Sequence, residues 1–260
     1  MKVKNLPSNL ARILQNQTFV RNTVGQSNTE VYRVENSDAF LKIAGKSSNV
    51  NLQREKEVLE WLSDKISVPK VLYFEETGEN TFLLISKIKG INLADYIKNS
   101  KDKENLLGDL AKSLKQIHTI SIKNCSFQQT LGVKLQNARG NIENGLVDEN
   151  DFEDEHIGKS AETLFVELIE SKPNDEDLVF THGDFCLPNI IVSNEKVSGF
   201  VDWERGGIAD RYQDIALLFR SFDFNVGDTE QFEDLFCGGY GIEKLDKDKI
   251  KFYIMLDEFF

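Results

Sequence analysis

Cysteine is scarce in this 260-residue chain, with only Cys125, Cys186 and Cys237. An odd count with no CxxC pair argues against a disulfide framework or a structural zinc site and suits a reducing cytosol. Histidine is equally rare, three residues with no His/Cys cluster, so transition-metal chemistry has little support. Long apolar runs are missing too. Runs such as Ala216 to Phe219 fall far short of the ~20 residues a membrane helix needs. The opening MKVKNLPSNLARIL carries an early lysine but no continuous apolar stretch, so no signal peptide is expected and the localisation is read as cytoplasmic. Positive charge is in deficit: 31 Lys and Arg face 43 Asp and Glu, for a formal net charge of −12. Such a surface repels nucleic-acid phosphates and attracts cations, although solubility alone also favours acidic chains. Neither a GxGxxG nor a Walker-A loop occurs.

What is present is 40% hydrophobic and 28% charged, the composition of a globular protein with real cores. Strands are expected at Glu30 to Val34, Ala39 to Ala44, Val71 to Glu75 and Thr81 to Ser86, around one helix, Asn51 to Asp64, whose Leu52, Leu59 and Leu62 share a face. After Gly90 the pattern turns helical, at Leu93 to Lys98, Lys103 to Thr119, Ala161 to Ser171, Asp214 to Phe222 and the C-terminal segment. Two short strands, Ile190 to Val192 and Val197 to Val201, flank a polar turn. The expected fold class is α+β in two lobes: a mainly antiparallel β lobe over 1–86, a hinge at 87–90, and a mainly α lobe over 91–260.

The strongest chemical signal is Thr181-His182-Gly183-Asp184-Phe185-Cys186-Leu187-Pro188-Asn189, followed by Gly199-Phe200-Val201-Asp202. An Asp followed five residues later by an Asn, with a second Asp after the next strand, is the spacing of a phosphoryl-transfer site. Such a site needs a carboxylate to take a hydroxyl proton and hard oxygen ligands to hold magnesium against the phosphates, and Asp184, Asn189 and Asp202 are the candidates. If 190–193 and 198–201 pair as a hairpin, Asn189 falls opposite Asp202, and opposed residues lie roughly 4.5–5.5 Å apart.

Lys42 sits in the apolar strand Phe40-Leu41-Lys42-Ile43-Ala44, and Glu55 on the apolar face of the helix. Each is costly to bury alone, and together they can form the ion pair that positions nucleotide phosphates. Gly25-Gln26-Ser27-Asn28-Thr29 is a weak phosphate-loop candidate that reads equally as a turn. His118 reads as a core or helix-end histidine, His182 as ordering the catalytic loop, and His156 as exposed.

Over essentially its whole length the sequence resembles the aminoglycoside 3′-phosphotransferases. The resemblance rests on Val68-Pro69-Lys70-Val71, the His-Gly-Asp loop with Asn189, Ser198 to Asp202, the run Gly207-Ile208-Ala209-Asp210-Arg211-Tyr212-Gln213-Asp214-Ile215-Ala216, and the ending Leu256-Asp257-Glu258-Phe259-Phe260. It implies a protein-kinase-like fold and ATP or GTP as phosphoryl donor with Mg2+. It also implies Asp184 as base, Asn189 and Asp202 on the metal, Lys42 on the α/β-phosphates oriented by Glu55, Ser27 touching phosphate, the backbone of Ser86 and Ile88 on the nucleobase, and Asp214 bracing the loop. The family usually has Asp-x-Gly-Arg where this chain has Asp202-Trp203-Glu204-Arg205, so Glu204 replaces a glycine beside the metal ligand.

The acceptor would be polycationic, and carboxylates gather at Asp148, Glu149, Asp151, Glu153, Asp154 and Glu155 and again at Asp257 and Glu258, beside the α-carboxylate of Phe260. Asp151, Glu153, Arg205, Arg220, Asp257, Glu258 and Phe260 are the candidate acceptor-binding residues. The ending is apolar enough that it should dock. Partners are then an aminoglycoside and a nucleoside triphosphate, with no nucleic acid or membrane, in a monomer or weak dimer. Alternatives are a kinase for choline or a macrolide, and a nucleotide-binding pseudokinase.

Overall fold

The computed structural model describes residues 3, 6–22, 29–46, 48–98, 103–227 and 229–260. In chain order the elements are α1 (Ser8–Ile13), β1 (Phe19–Asn22), β2 (Glu30–Val34), β3 (Ala39–Gly45), α2 (Leu52–Leu62), β4 (Val71–Glu76), β5 (Asn80–Ser86), β6 (Ile91–Asn92), α3 (Leu93–Ile97), α4 (Lys103–His118), α5 (Leu131–Glu143), α6 (Ala161–Glu170), β7 (Leu178–Thr181), β8 (Ile190–Ser193), β9 (Lys196–Phe200), β10 (Gly207–Asp210), α7 (Tyr212–Val226), α8 (Thr229–Tyr240) and α9 (Lys247–Asp257). The chain divides into two compact units, Met1–Asp95 with Pro188–Glu204, and Tyr96–Leu187 with Arg205–Phe260. The hairpin Pro188–Glu204 therefore groups with the β-rich unit, although the sequence reading counted it in the helical lobe.

In the first unit an antiparallel sheet runs in the order β1-β2-β3-β5-β4. Side chains alternate across a strand, and β3 uses both faces. Leu41 and Ile43 join Leu10, Phe19, Phe82 and Leu84 in one buried cluster. Alternation sends Lys42 and its cross-strand neighbour Leu83 to the opposite face. There α2 packs on β4 and β5, burying Leu52, Glu55, Val58, Leu59 and Leu62 at helical spacing. Asn51 caps this helix, its side chain accepting from the Arg54 N–H at 2.9 Å.

The hairpin β8–β9 extends to β6 in a three-stranded sheet. Ser198 fastens it to the 87–90 segment, its hydroxyl donating to the Lys89 carbonyl at 2.9 Å. Its register differs from the expectation. Ile190 pairs with Phe200 and Ile191 with Gly199, but beyond a bulge Val192 pairs with Val197. The Val201 N–H donates to the Asn189 carbonyl at 2.9 Å, so Asn189 faces Val201, and Asp202 lies one residue past the pairing. The expectation assumed a four-residue turn over 194–197, but Ser193 pairs with Lys196 in a tighter turn that shifts the pairing by two, and the extra residue of the bulge, Ser198, recovers only one.

In the second unit α4 packs on α8 and α7 on α9. A run of rings from Phe219, Phe222, Phe232, Phe236 and Tyr240 fills the space between α7 and α8, with centroids 4.1–5.9 Å apart. β7 and β10 form a two-stranded antiparallel ladder with Thr181 opposite Gly207. The chain end docks as its composition suggested: Leu256 and Phe259 are buried, and the Phe259 carbonyl accepts from the Asn141 side chain at 2.7 Å. Among the described residues no helix is long and apolar enough to cross a membrane.

Candidate active site

In the first unit the structure brings Lys42, Glu55 and Asp202 together. The Lys42 ammonium donates to both carboxylate oxygens of Glu55, at 2.6 and 2.9 Å, and makes a close contact with the Asp202 carboxylate. Lys42 and Glu55 side chains are only 9% and 2% exposed, whereas Asp202 is 53% exposed. Burial would lower the Lys42 ammonium, but the Asp202 and Glu55 carboxylates outweigh it and hold it well above the ordinary lysine range. The lysine is thus a fixed cation, presented by a strand and aimed by a helix. Asp202 has φ 65°, the left-handed region that a residue with a Cβ rarely adopts. The turn that ends β9 keeps this conformation and delivers the carboxylate to the lysine. Asn189 is buried at the mouth of the same hairpin. Among the described residues no group of three or more His, Cys, Asp or Glu is poised for a metal. A carboxylate with an amide at the hairpin mouth instead suits a hard cation that brings its own waters and phosphate oxygens.

The Ser86 N–H donates to the Lys70 carbonyl at 2.8 Å, which leaves the Ser86 carbonyl as the group that could meet a nucleobase amine. Ile88 lies against Gly199, where an added Cβ would sit 2.7 Å from its Cδ1. Ser27 lies outside the described residues.

In the second unit the His-Gly-Asp loop hangs from a buried carboxylate. Asp214, fully buried on α7, accepts from the His182 N–H at 2.7 Å, from the Gly183 N–H at 2.8 Å and from His118 Nε2 at 3.0 Å. Two backbone donors and an imidazole fix one carboxylate, and through it the loop that carries Asp184. Gly183 has φ +84°, and a Cβ there would stand 2.2 Å from the Arg205 carbonyl oxygen, so only glycine fits. His182 is buried, its ring edge-on to Phe185, and Nδ1 lies 3.3 Å from the Asp184 N–H. It orders the loop. His118 is a helix-end core histidine, as expected, wedged between Asp214 and the Tyr240 hydroxyl.

The candidate acceptor residues other than Asp151 are brought into contact with one another. Asp257 takes Arg205 at 2.9 Å and Arg220 at 2.6 Å. Burial pushes its carboxyl up, but the two guanidiniums hold it below the usual carboxylate range. Glu258 accepts from the Glu153 N–H at 3.0 Å and faces His156 Nδ1 at 2.9 Å. His156 is therefore buried rather than exposed, because Glu258 gives it a partner. Glu149, counted among the clustered acids, accepts from the Ala161 N–H at 2.7 Å at the start of α6. Asp151, Asp154 and Glu155 remain exposed.

Sequence reasoning missed Lys134. It lies on α5, a weakly amphipathic helix where no element was expected from the sequence, and its ammonium sits 5.5 Å from the Phe260 ring. Arg205 is 5.6 Å from the same ring. Burial, and next the Arg205 charge, push Lys134 down to about 8.

A lysine anchored by a helical glutamate in the first unit and an Asp-braced His-Gly-Asp loop in the second are each features of a kinase-type phosphotransferase. The solved structures agree on the fold. The aminoglycoside phosphotransferase APH(3″)-Id of Streptomyces rimosus superposes with a TM-score of 0.85 at 27% identity, covering 96% of this chain and 95% of that one. The type VIII aminoglycoside-3′-phosphotransferase gives 0.84 at 26% identity, covering 97% and 98%. Residues 18–253 match the phosphotransferase enzyme family. An aminoglycoside 3′-phosphotransferase of Niallia circulans is 40% identical over 99% of this chain and 98% of its own length, and one of Escherichia coli 36% identical over 98% and 95%. The chain belongs to the aminoglycoside 3′-phosphotransferase family and is an enzyme.

Proposed function

We propose that the protein transfers the γ-phosphate of ATP or GTP to a hydroxyl, the 3′-OH, of an aminoglycoside such as kanamycin or neomycin, and so confers resistance. The observation that carries this reading is the Lys42 ammonium, buried, held by Glu55 and turned toward Asp202. A cation so fixed complements nucleotide phosphates and needs no reorganisation when they arrive. The solved relative APH(3″)-Id is described in complex with ADP and streptomycin, which supports a nucleotide and an aminoglycoside as the two substrates.

In this reading the Asp184 carboxylate accepts the proton of the attacking hydroxyl. The new bond joins that oxygen to the γ-phosphorus, and the bond from the γ-phosphorus to the β–γ bridging oxygen breaks, releasing the nucleoside diphosphate. Lys42 neutralises the α/β-phosphates. Asp202 and Asn189 would hold Mg2+, whose bound charge offsets that gathering on the leaving oxygen. Their oxygen donors, one charged and one neutral, fit that ion. Ser86 and Ile88 would seat the nucleobase and Ser27 a phosphate. Glu153, Asp151, Glu258 and Phe260 would face the drug, with Arg205, Arg220 and Asp257 as the ionic frame behind them. A cytoplasmic location suits a donor found in the cytosol and the thiols of Cys125, Cys186 and Cys237.

The test is nucleotide turnover with and without kanamycin, followed by mass and phosphorus NMR analysis of the product. Turnover stimulated by kanamycin with phosphate on the 3′-oxygen supports the reading. Stimulation by choline or a macrolide instead, or nucleotide binding with no turnover on any acceptor, overturns it.

A further inference from the structure

Glu204 follows Asp202 by two residues, and its contacts explain why a carboxylate belongs there. Helix α2 is capped at Asn51, whose side chain accepts from the N–H of Arg54, three residues on. In the usual reciprocal cap, a Glu or Gln at that third position returns the favour and accepts from the cap residue's own N–H. Here the third position is Arg54, which cannot accept. The vacant role is filled from 153 positions along the chain: the Asn51 N–H donates to Glu204 Oε1 at 2.6 Å. Arg54 takes part from the other side, its Nε donating to the Glu204 carbonyl at 2.8 Å. A negative side chain at this end of the helix also complements its dipole. The residue after Arg54 is Glu55, which holds Lys42, and the residue two before Glu204 is Asp202, which Lys42 also meets. One side chain and one carbonyl thus lock the Glu55 helix to the Asp202 turn.

We infer that Glu204 is a positioning residue for the nucleotide end of the site: it completes the cap of α2 from a distance and sets the register between Glu55 and Asp202 around Lys42. This rests on the phosphotransferase reading above but adds to it, because it assigns Glu204 to nucleotide binding and not to the drug. Glu204 touches no reacting atom in this role; its effect passes through the placement of Lys42 and Asp202.

The experiment is steady-state kinetics with varied ATP and varied kanamycin on the wild type, Glu204→Ala, Glu204→Gln and Arg54→Met, with thermal melting of each. Glu204→Ala removes the acceptor without adding glycine's backbone freedom, and should raise KM for ATP by about fivefold, the size of a lost helix cap. KM for kanamycin should stay within about twofold, since that step lies outside the proposed coupling. Glu204→Gln keeps an oxygen that accepts from Asn51 and should restore most of the ATP KM. Arg54→Met should move ATP KM in the same direction as Glu204→Ala. The inference fails if Glu204→Ala leaves ATP KM unchanged. It also fails if kanamycin KM rises instead, which would make Glu204 a drug-binding carboxylate, or if Gln is as impaired as Ala. Should Glu204→Ala melt below the assay temperature, Glu204→Gln and Arg54→Met decide the matter by the same two KM values. A wild type with no kanamycin-dependent turnover would sink the kinase reading itself, a result distinct from all of these.

Discussion

Lys134→Met should make the protein more stable at neutral pH and less distinguishable from the wild type at high pH. Lys134 is buried at 4% exposure, and its folded-state pKa falls to about 8 against the ordinary 10.5, because burial and the Arg205 guanidinium both oppose its charge. The gap corresponds to about 3 kcal/mol of penalty carried by the charged form. The sign follows from proton counting. Below pH 8 folded and unfolded chains both hold the proton, and the penalty is present in full. Between about 8 and 10.5 the unfolded chain holds more protons, so stability rises with pH and the penalty fades. Methionine has similar length and no charge, which removes the penalty at the loss of the contact with the Phe260 ring, itself about 1 kcal/mol. The net gain at pH 7 is then about 2 kcal/mol, or roughly 4–8 °C in melting temperature. The assay is thermal melting of both proteins from pH 6.5 to 10.5, with urea titrations at the two ends. A variant less stable than the wild type at pH 7, or an advantage that fails to shrink above pH 8, would refute the argument.

Four further outcomes are expected. Asp184→Ala should lower kcat by about 10²–10⁴-fold with the melting point intact, since a general base contributes that much; retention of more than about a tenth of kcat would remove it from that role. Asp202→Ala should abolish turnover and Asn189→Ala should weaken it less, because the first removes a charged ligand and the second a neutral one; undiminished activity in excess EDTA would end the metal assignment. Asp257→Ala strands two guanidiniums that are each about a third exposed, so after allowing for solvent screening it should lower stability by roughly 1–3 kcal/mol in denaturant titrations; an unchanged midpoint would mean the pair contributes nothing. Finally, kanamycin KM should rise as salt goes from about 0.05 to 0.5 M, because attraction by exposed carboxylates is screened; indifference to salt would favour an apolar acceptor pocket.

How much of this was legible in the sequence depends on which physical rule each residue obeys. The Lys42–Glu55 pair could be read because alternation along β3 and helical spacing along α2 each force a charged side chain inward, and a buried charge needs a partner. The three-way contact with Asp202 could be read only as a motif, since no local pattern shows which of two hairpin registers a chain adopts. The tight turn that pairs Ser193 with Lys196 shifted the pairing by two, the bulge after Ile191 restored one, and Asn189 faced Val201. α5 and α8 went unseen because their apolar positions do not form a clean stripe, or fall among glycines such as Gly238 and Gly239. β10 was read as a family signature and not as a strand, although Gly207 to Asp210 pairs along its length with β7. Lys134 left no signal at all: a lysine on a weakly patterned helix looks exposed until the partner elements close over it.

The C-terminal acids show what composition conceals. Net charge and a run of Asp and Glu invite the inference that every carboxylate is available to a cationic drug. Yet Asp257 is claimed by two arginines, Glu258 by His156 and the Glu153 N–H, and Glu149 by the start of α6. A carboxylate already satisfied by internal donors attracts a ligand less than a free one, because binding must first break or share those bonds. Selection for a polycation on the proposed reading therefore falls to Asp151, Asp154 and Glu155, which stay exposed, and to whatever lone pairs Glu153 and Glu258 still offer. The internally bonded acids do a different job. They pin the C-terminal end of α9 and the 148–156 segment in place, so that the exposed acids are presented from a fixed backbone, and the entropy that a loose loop would lose on binding is already spent in folding.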